Sequence, residues 1–229
     1  MIKVAVIGLG RFGTELAKRL GTSGVEVIAI DHSDKLVNEV KDDVAIAVRL
    51  NATDELALKS QEIDKVDACV ISIGENFEAA LLVTVILKKL GVPKIICRAQ
   101  SEFHAEIFTQ IGATEVIQPE VQAGAHLARL LANPHLEDYL QVGDGYTMIE
   151  LLTPSDFVGK NLTELSLRSK YSVNVVAIRK RNSEEVEKKT GKVYTTDCVP
   201  HPDYQIQESD IILIIGTDQN LARLPTKNT

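Results

Sequence analysis

Near its start the chain reads Val4-Ala5-Val6-Ile7-Gly8-Leu9-Gly10-Arg11-Phe12-Gly13. An apolar run ends in three glycines spaced GxGxxG, with Arg11 between the second and the third. The run predicts a buried strand, and the residues after it predict a helix, since Phe12, Leu16 and Leu20 fall on one face at four-residue spacing. Strand, glycine turn and helix together make a phosphate-holding unit. Gly8 permits the tight turn, Gly10 lets the backbone come close to a phosphate, and Gly13 lets helix and sheet pack together. The helix start points unsatisfied N–H groups at an anion. Asp31 closes the next apolar run. A carboxylate there accepts hydrogen bonds from both ribose hydroxyls and repels a 2′-phosphate, which favours NAD or adenosine nucleotides over NADP. His32, next to it, either touches the ribose or lies exposed.

Arg11 is the oddity in this turn. It stands in the first turn of a helix, where the macrodipole disfavours a cation. A terminal phosphate would compensate it, and a second positive charge beside a pyrophosphate favours a triphosphate. Other expected strand ends open on the same crevice. Asn51-Ala52-Thr53 follows the third strand, with small and amide side chains suited to an adenine ring. Ile73-Gly74-Glu75-Asn76 follows the fourth; Gly74 allows close approach, while Glu75 and Asn76 either cap the next helix or touch the ligand. Arg98 ends the fifth and brings a second cation to that edge.

Working outward, strands are expected at 3–7, 25–30, 44–48, 68–73, 94–98 and 115–117, with helices between them. The strands are short, rich in Val and Ile and apolar at most positions, as strands buried on both faces are. Repeated βα units predict an α/β fold, a Rossmann-like doubly wound parallel sheet. Gln118-Pro119-Glu120 opens a further helix with proline well placed for its first turn, and Gly124, Leu127, Ala128 and Leu131 form a small-and-apolar stripe on it. Asn133-Pro134-His135 and Val142-Gly143-Asp144-Gly145 bracket an expected polar connector, and two domains are drawn as 1–135 and 136–229. The second reads as a small α+β domain: strands at 146–152, 173–178 and 210–215, one helix over 161–171, and a charged hairpin loop over 181–192.

The chain has 229 residues, 45% of them apolar, enough for a sizeable core, and a formal charge of −7. That charge argues against a nucleic-acid partner, whose backbone is anionic. Cys69 and Cys97 lie in apolar runs and read as buried thiols, and Cys198 stands apart, so no CxxC pair exists. No apolar stretch reaches the roughly 18 residues of a membrane span, and a reducing cytosol is the expected setting. A dehydrogenase needs a proton donor beside the hydride acceptor. No tyrosine has a lysine four residues on, the five histidines are scattered, and neither HExxH nor GxSxG occurs. This points to sensing rather than catalysis, with an NAD-dependent oxidoreductase and an NADH-sensing protein as the alternatives.

The run Val6 to Gly13, Asp31, Asn51-Ala52-Thr53, Ile73-Gly74-Glu75-Asn76 and Pro119-Glu120 resemble the RCK (KTN) family of cytosolic regulators of bacterial potassium channels and transporters. In the second half, Gly159-Lys160-Asn161-Leu162-Thr163-Glu164-Leu165, Arg168-Ser169-Lys170-Tyr171 and Asn174-Val175-Val176-Ala177-Ile178 resemble the companion C-terminal RCK domain. The resemblance implies a regulatory subunit that forms dimers and an octameric gating ring. The ring would sit beneath an integral-membrane potassium transporter subunit, peripheral on the inner face of the cell membrane. It implies ATP or ADP in the Rossmann crevice, with NAD(H) also bound by relatives. On that pattern Phe12 belongs to the cofactor-binding turn, Arg11 meets the γ-phosphate, Arg98 is a phosphate-directed cation, and Glu120 helps to hold Mg2+, Ca2+ or Na+ at the nucleotide. In several relatives the C-terminal domain binds cyclic di-AMP; Asn174, Val175 and Val176 lie on the matching strand and Arg168 and Pro202 are nearby candidates, although the charged insertion over 181–192 departs from the pattern. The apolar helix over 79–87 and the stripe on the Glu120 helix are the expected subunit interfaces.

Overall fold

A computed structural model describes residues 1–183 and 193–225 of the chain. They form two compact units, 1–124 and 125–229. The division falls inside a helix, not at the polar connector.

The first unit holds six parallel strands: β1 (Lys3–Ile7), β2 (Glu26–Asp31), β3 (Ile46–Arg49), β4 (Ala68–Ile71), β5 (Ile95–Arg98) and β6 (Glu115–Ile117). Their spatial order is β3-β2-β1-β4-β5-β6. That is the doubly wound order, with the chain reversing direction across the sheet between β1 and β4. Alternate side chains leave opposite faces of each strand. Ala5, Ile7, Ile28, Ile30, Cys69 and Ile71 join one buried cluster with Leu58, Val83, Leu87 and Phe108. Val4, Val6, Val27, Ala29 and Val70 join a second with Ala17, Val37 and Val40. The helices α1 (Arg11–Thr22) and α2 (Asp34–Val40) cover the latter face, and α3 (Glu55–Ser60), α4 (Phe77–Lys89) and α5 (Glu102–Ile111) the former. The expectation that every strand is buried on both faces fails at β3, an edge strand whose Ile46 is exposed. Cys69 and Cys97 are buried free thiols. Burial pushes both pKa values up, Cys97 to about 11, so both stay protonated at neutral pH.

Helix α6 (Pro119–Ala132) has no buried residue, and Val121, Leu127 and Leu131 are exposed along it. Its last residues belong to the second unit. There the His126 ring stacks on Tyr139 with centroids 4.8 Å apart, and the Arg129 guanidinium lies 4.3 Å from the centroid of the same tyrosine ring. Arg129 also pairs with Asp218 at 3.2 Å.

The second unit is built on an antiparallel sheet of β7 (Leu136–Gly143), β8 (Tyr146–Leu152), β9 (Asn174–Arg181), β10 (Tyr194–Asp197) and β11 (Ile211–Thr217), in the order β10-β9-β11-β8-β7. Two expectations need correction. The stretch taken for a polar connector is strand β7, paired with β8 through a turn in which Gly143, Asp144 and Gly145 all have positive φ. The single helix expected over 161–171 is two short ones, α7 (Leu162–Leu165) and α8 (Leu167–Tyr171), because Ser166 between them adopts φ 48°. Asn161 starts α7 with a reciprocal capping box to Glu164. The charged loop expected over 181–192 lies mostly outside the described residues; β9 and β10, on either side of it, pair antiparallel. Among the described residues no helix is long and apolar enough to cross a membrane.

Candidate functional site

The carboxyl ends of β1 and β4 flank the point where strand order reverses, and ligands of such sheets bind there. Gly8 has φ +94°, and a Cβ on it would lie 2.9 Å from the Ile73 amide nitrogen. A Cβ on Gly13 would sit 1.9 Å from the Gly8 carbonyl oxygen and 2.4 Å from Ser72 Oγ. Both glycines are therefore required by the protein's own packing. Gly10 is different: a Cβ there would meet nothing within 4 Å. Its lack of a side chain answers no internal need, which fits a position kept clear for something outside the chain.

Gly10 is the N-cap of α1 and has no side chain to accept from the first amides of that helix, and no acidic residue stands in the first turn. Arg11 is exposed and makes no ion pair or hydrogen bond with a described residue. A free cation and uncapped amides share one helix end, a combination that an anion completes. Asp31 is buried; its two oxygens accept the amides of Leu9 at 2.7 Å and Ser33 at 2.8 Å. His32 is highly exposed, with Nδ1 3.2 Å from Asp31 Oδ1.

The other strand ends differ in what they offer. Ala52 is buried. Asn51 Oδ1 accepts from the Thr53 amide and hydroxyl, closing a local turn ahead of α3. Asn76 is the N-cap of α4 and accepts the Ala79 amide at 2.9 Å, so the cap reading describes it. Glu75 is exposed with no partner among the described residues. Phe12 is partly buried against the cluster under α1 and serves packing.

Arg98 is largely buried, with 19% of its side chain exposed, and pairs with Glu120. The guanidinium's hydrogen bond holds the Glu120 carboxyl below the usual carboxylate range. Gly74 makes room for this arginine, because a Cβ there would lie 2.6 Å from Arg98 Nη1. Arg98 Nε is buried without a partner. Gln100, which the sequence reading passed over, donates to the Gly74 carbonyl at 2.6 Å and ties the turns after β4 and β5 together. Among the described residues no three His, Cys, Asp or Glu side chains gather as a metal site.

In the second unit, Arg168, Asn174 and Val175 line one groove of about 470 Å³ with residues of α7 and α8. Val176 is exposed and does not line it, nor does Pro202, whose carbonyl accepts the Thr163 amide at 3.4 Å.

A doubly wound sheet with a glycine turn, a β2 carboxylate and a free arginine at the α1 start defines a nucleotide-binding Rossmann-like domain. A family model of the TrkA-N domain matches residues 4–119. The chain is 35% identical over 219 residues to the Ktr system potassium uptake protein C of Bacillus subtilis (strain 168), covering 96% of this chain and 94% of that protein. Among solved structures, the GsuK channel bound to NAD aligns with a TM-score of 0.64 at 15% identity, over 96% of this chain and 38% of that one, a likeness of fold. The NAD(P)-binding domain of an exopolyphosphatase-related protein from Archaeoglobus fulgidus aligns with a TM-score of 0.51 at 26% identity, over 58% of this chain and 99% of that one. The chain belongs to the TrkA-N (RCK) family of potassium-transport proteins.

Proposed function

We propose that this chain is a non-catalytic, nucleotide-sensing regulatory subunit of a potassium transporter. The observation that carries the reading is Arg11, an unpartnered cation at the uncapped start of α1 beside Gly10, in a chain related over almost its whole length to a potassium uptake protein. Asp31 orients the ribose, the first amides of α1 hold the pyrophosphate, and Arg11 binds the terminal phosphate. ATP is therefore favoured over ADP in the state where Arg11 is engaged. A ligand shifts a conformational equilibrium only through its differential affinity for the two states. A γ-phosphate contact that Arg11 makes in one state and not in the other supplies that difference.

On this reading the chain acts from the cytoplasmic face as part of a homo-oligomeric ring, dimers assembling to an octamer, beneath an integral-membrane transporter subunit. Glu120, released from Arg98, is the acid for a Mg2+, Ca2+ or Na+ ion beside the phosphates. The second unit is the companion C-terminal RCK domain, and the groove holding Arg168, Asn174 and Val175 is its place for cyclic di-AMP. NAD(H) is the second reading for the Rossmann site, supported by the 26% identical NAD(P)-binding domain.

The test is equilibrium binding of ATP, ADP and NADH to the purified chain, with chromatography of the nucleotide afterwards. The reading expects ATP and ADP to bind and to be recovered unchanged. Steady consumption of NADH with a small-molecule substrate, or no binding of any adenine nucleotide, would overturn it.

A further inference from the structure

We infer that Asp31 is a positioning residue that builds the phosphate-facing turn before any ribose arrives. The inference rests on the nucleotide-binding reading of the same crevice. Asp31 ends β2, and its side chain is enclosed, with 7% of the residue exposed. Oδ2 accepts the amide of Leu9, inside the glycine turn, at 2.7 Å, and Oδ1 accepts the amide of Ser33, the N-cap of α2, at 2.8 Å. One carboxylate thus fixes the loop after β1 and the start of the helix after β2. The Gly8 amide donates to the Ile30 carbonyl at 2.8 Å and adds a second tie between the turn and β2. The Leu9 side chain is fully buried in the cluster of Val6, Ala17 and Val27, so the turn is held by both its amide and its side chain.

The physical need is mutual. A buried ionised carboxylate requires strong donors, and hydrogen bonds to a charged acceptor are the stronger kind. A carboxylate has about four acceptor positions. The backbone uses one on each oxygen, and the exposed His32 ring, 3.2 Å from Oδ1, is free to turn away, so that a vicinal diol can take one further position on each oxygen. With Leu9 pinned, the next residue, Gly10, is the one that faces open space. Asp31 therefore contributes to phosphate binding without touching phosphate.

The experiment separates the two roles with 2′,3′-dideoxy-ATP, which has no ribose hydroxyl for Asp31 to hold. Its affinity for the wild-type chain and for Asp31→Asn is measured, alongside amide hydrogen exchange at Leu9 and Ser33 in the nucleotide-free chain. Removing a negative charge near phosphates by itself raises affinity. The proposal expects the opposite, an affinity for the dideoxy nucleotide lowered about tenfold, the size of one lost charge-assisted hydrogen bond. It also expects slow exchange at both amides in the wild type. Equal or tighter dideoxy-ATP binding by Asp31→Asn would overturn it. So would fast exchange of the wild-type Leu9 amide, a result that needs no variant to fold. Failure of the wild-type chain to bind ATP at all, with the Leu9 amide protected, would instead count against the nucleotide reading and leave the clamp standing.

Discussion

In the second unit, Asp210 is buried and accepts from Tyr204 Oη at 2.8 Å and the Gln207 amide at 2.9 Å, whereas at the end of β1 Arg11 is exposed and has no partner among the described residues. The same contrast runs through both regions. Lys180 is paired with Asp197 at 2.7 Å and lies 4.1 Å over the Tyr204 ring, and Arg179 is paired with Glu150. At the carboxyl edge of the parallel sheet, α1 starts without a side-chain cap and Arg98 leaves its Nε unanswered. Polar groups that serve the fold are satisfied within it. Those left open where a doubly wound sheet binds ligands are the ones to test for function.

The comparison breaks most visibly at the two glycines of one turn. Gly13→Ala forces a Cβ against the Gly8 carbonyl and Ser72, and should destabilise the chain by about 3 kcal/mol in urea unfolding. In the second unit, Tyr204→Phe removes a hydrogen bond to a buried carboxylate; the expected loss is about 1.5 kcal/mol, with nucleotide binding unchanged. Burial, and next the bond to Asp210, raise the Tyr204 pKa well above its ordinary value, so the phenol is the donor throughout the accessible pH range.

Acid titration sharpens the contrast further. The Thr147 hydroxyl bond, and then the hydrogen bond and charge of Arg129, lower the Asp218 pKa below its ordinary value. A carboxylate depressed in the folded state contributes stability above its unfolded pKa, about 3.9, and loses it as pH falls through the folded value. Melting temperatures taken from pH 5 downward should therefore drop less steeply for Asp218→Asn than for the wild type, and parallel curves would remove this contribution. Gly10→Ala is the smallest change to the fold, expected within about 0.5 kcal/mol of wild type because its Cβ meets no neighbour. Its nucleotide affinity should nevertheless fall about tenfold, as calorimetric titration with ATP would measure. A variant that binds normally would mean that Gly10 is not kept clear for a ligand.

Much of this was legible in the sequence because it is local. The apolar runs ending at Ile7 and Leu152 sit on the observed ends of β1 and β8, since a strand that packs into a core has few residue types to choose from; the short edge strand β6 also ends at the expected Ile117. Strand β7 was missed because it is an edge strand, mostly exposed and polar, with Leu140 and Val142 facing out. The signal that finds it was present in Asp144-Gly145, a dipeptide that favours hairpin turns. The break in the helix over 161–171 was not legible, since it depends on a serine in the left-handed region, which non-glycine residues rarely adopt. The crevice shows the same limit. Gly8, Gly10 and Asp31 declare themselves by spacing. The pairing of Arg98 with Glu120 and the bond from Gln100 to Gly74 join residues far apart in the chain. No local pattern encodes either contact. Gly74 reads from the sequence as a glycine that lets a ligand come close, and the group beside it in this structure is the Arg98 side chain.

The central claim is that Arg11 distinguishes three phosphates from two. The direct measurement is the melting shift produced by saturating ATP and by saturating ADP, in the wild-type chain and in Arg11→Ala. A ligand that binds only the folded chain stabilises it in step with its affinity. The wild type should gain more from ATP than from ADP, and Arg11→Ala should respond to the two alike while keeping its unliganded melting temperature. A wild-type chain with equal shifts, or an ATP preference that survives in Arg11→Ala, would contradict the account.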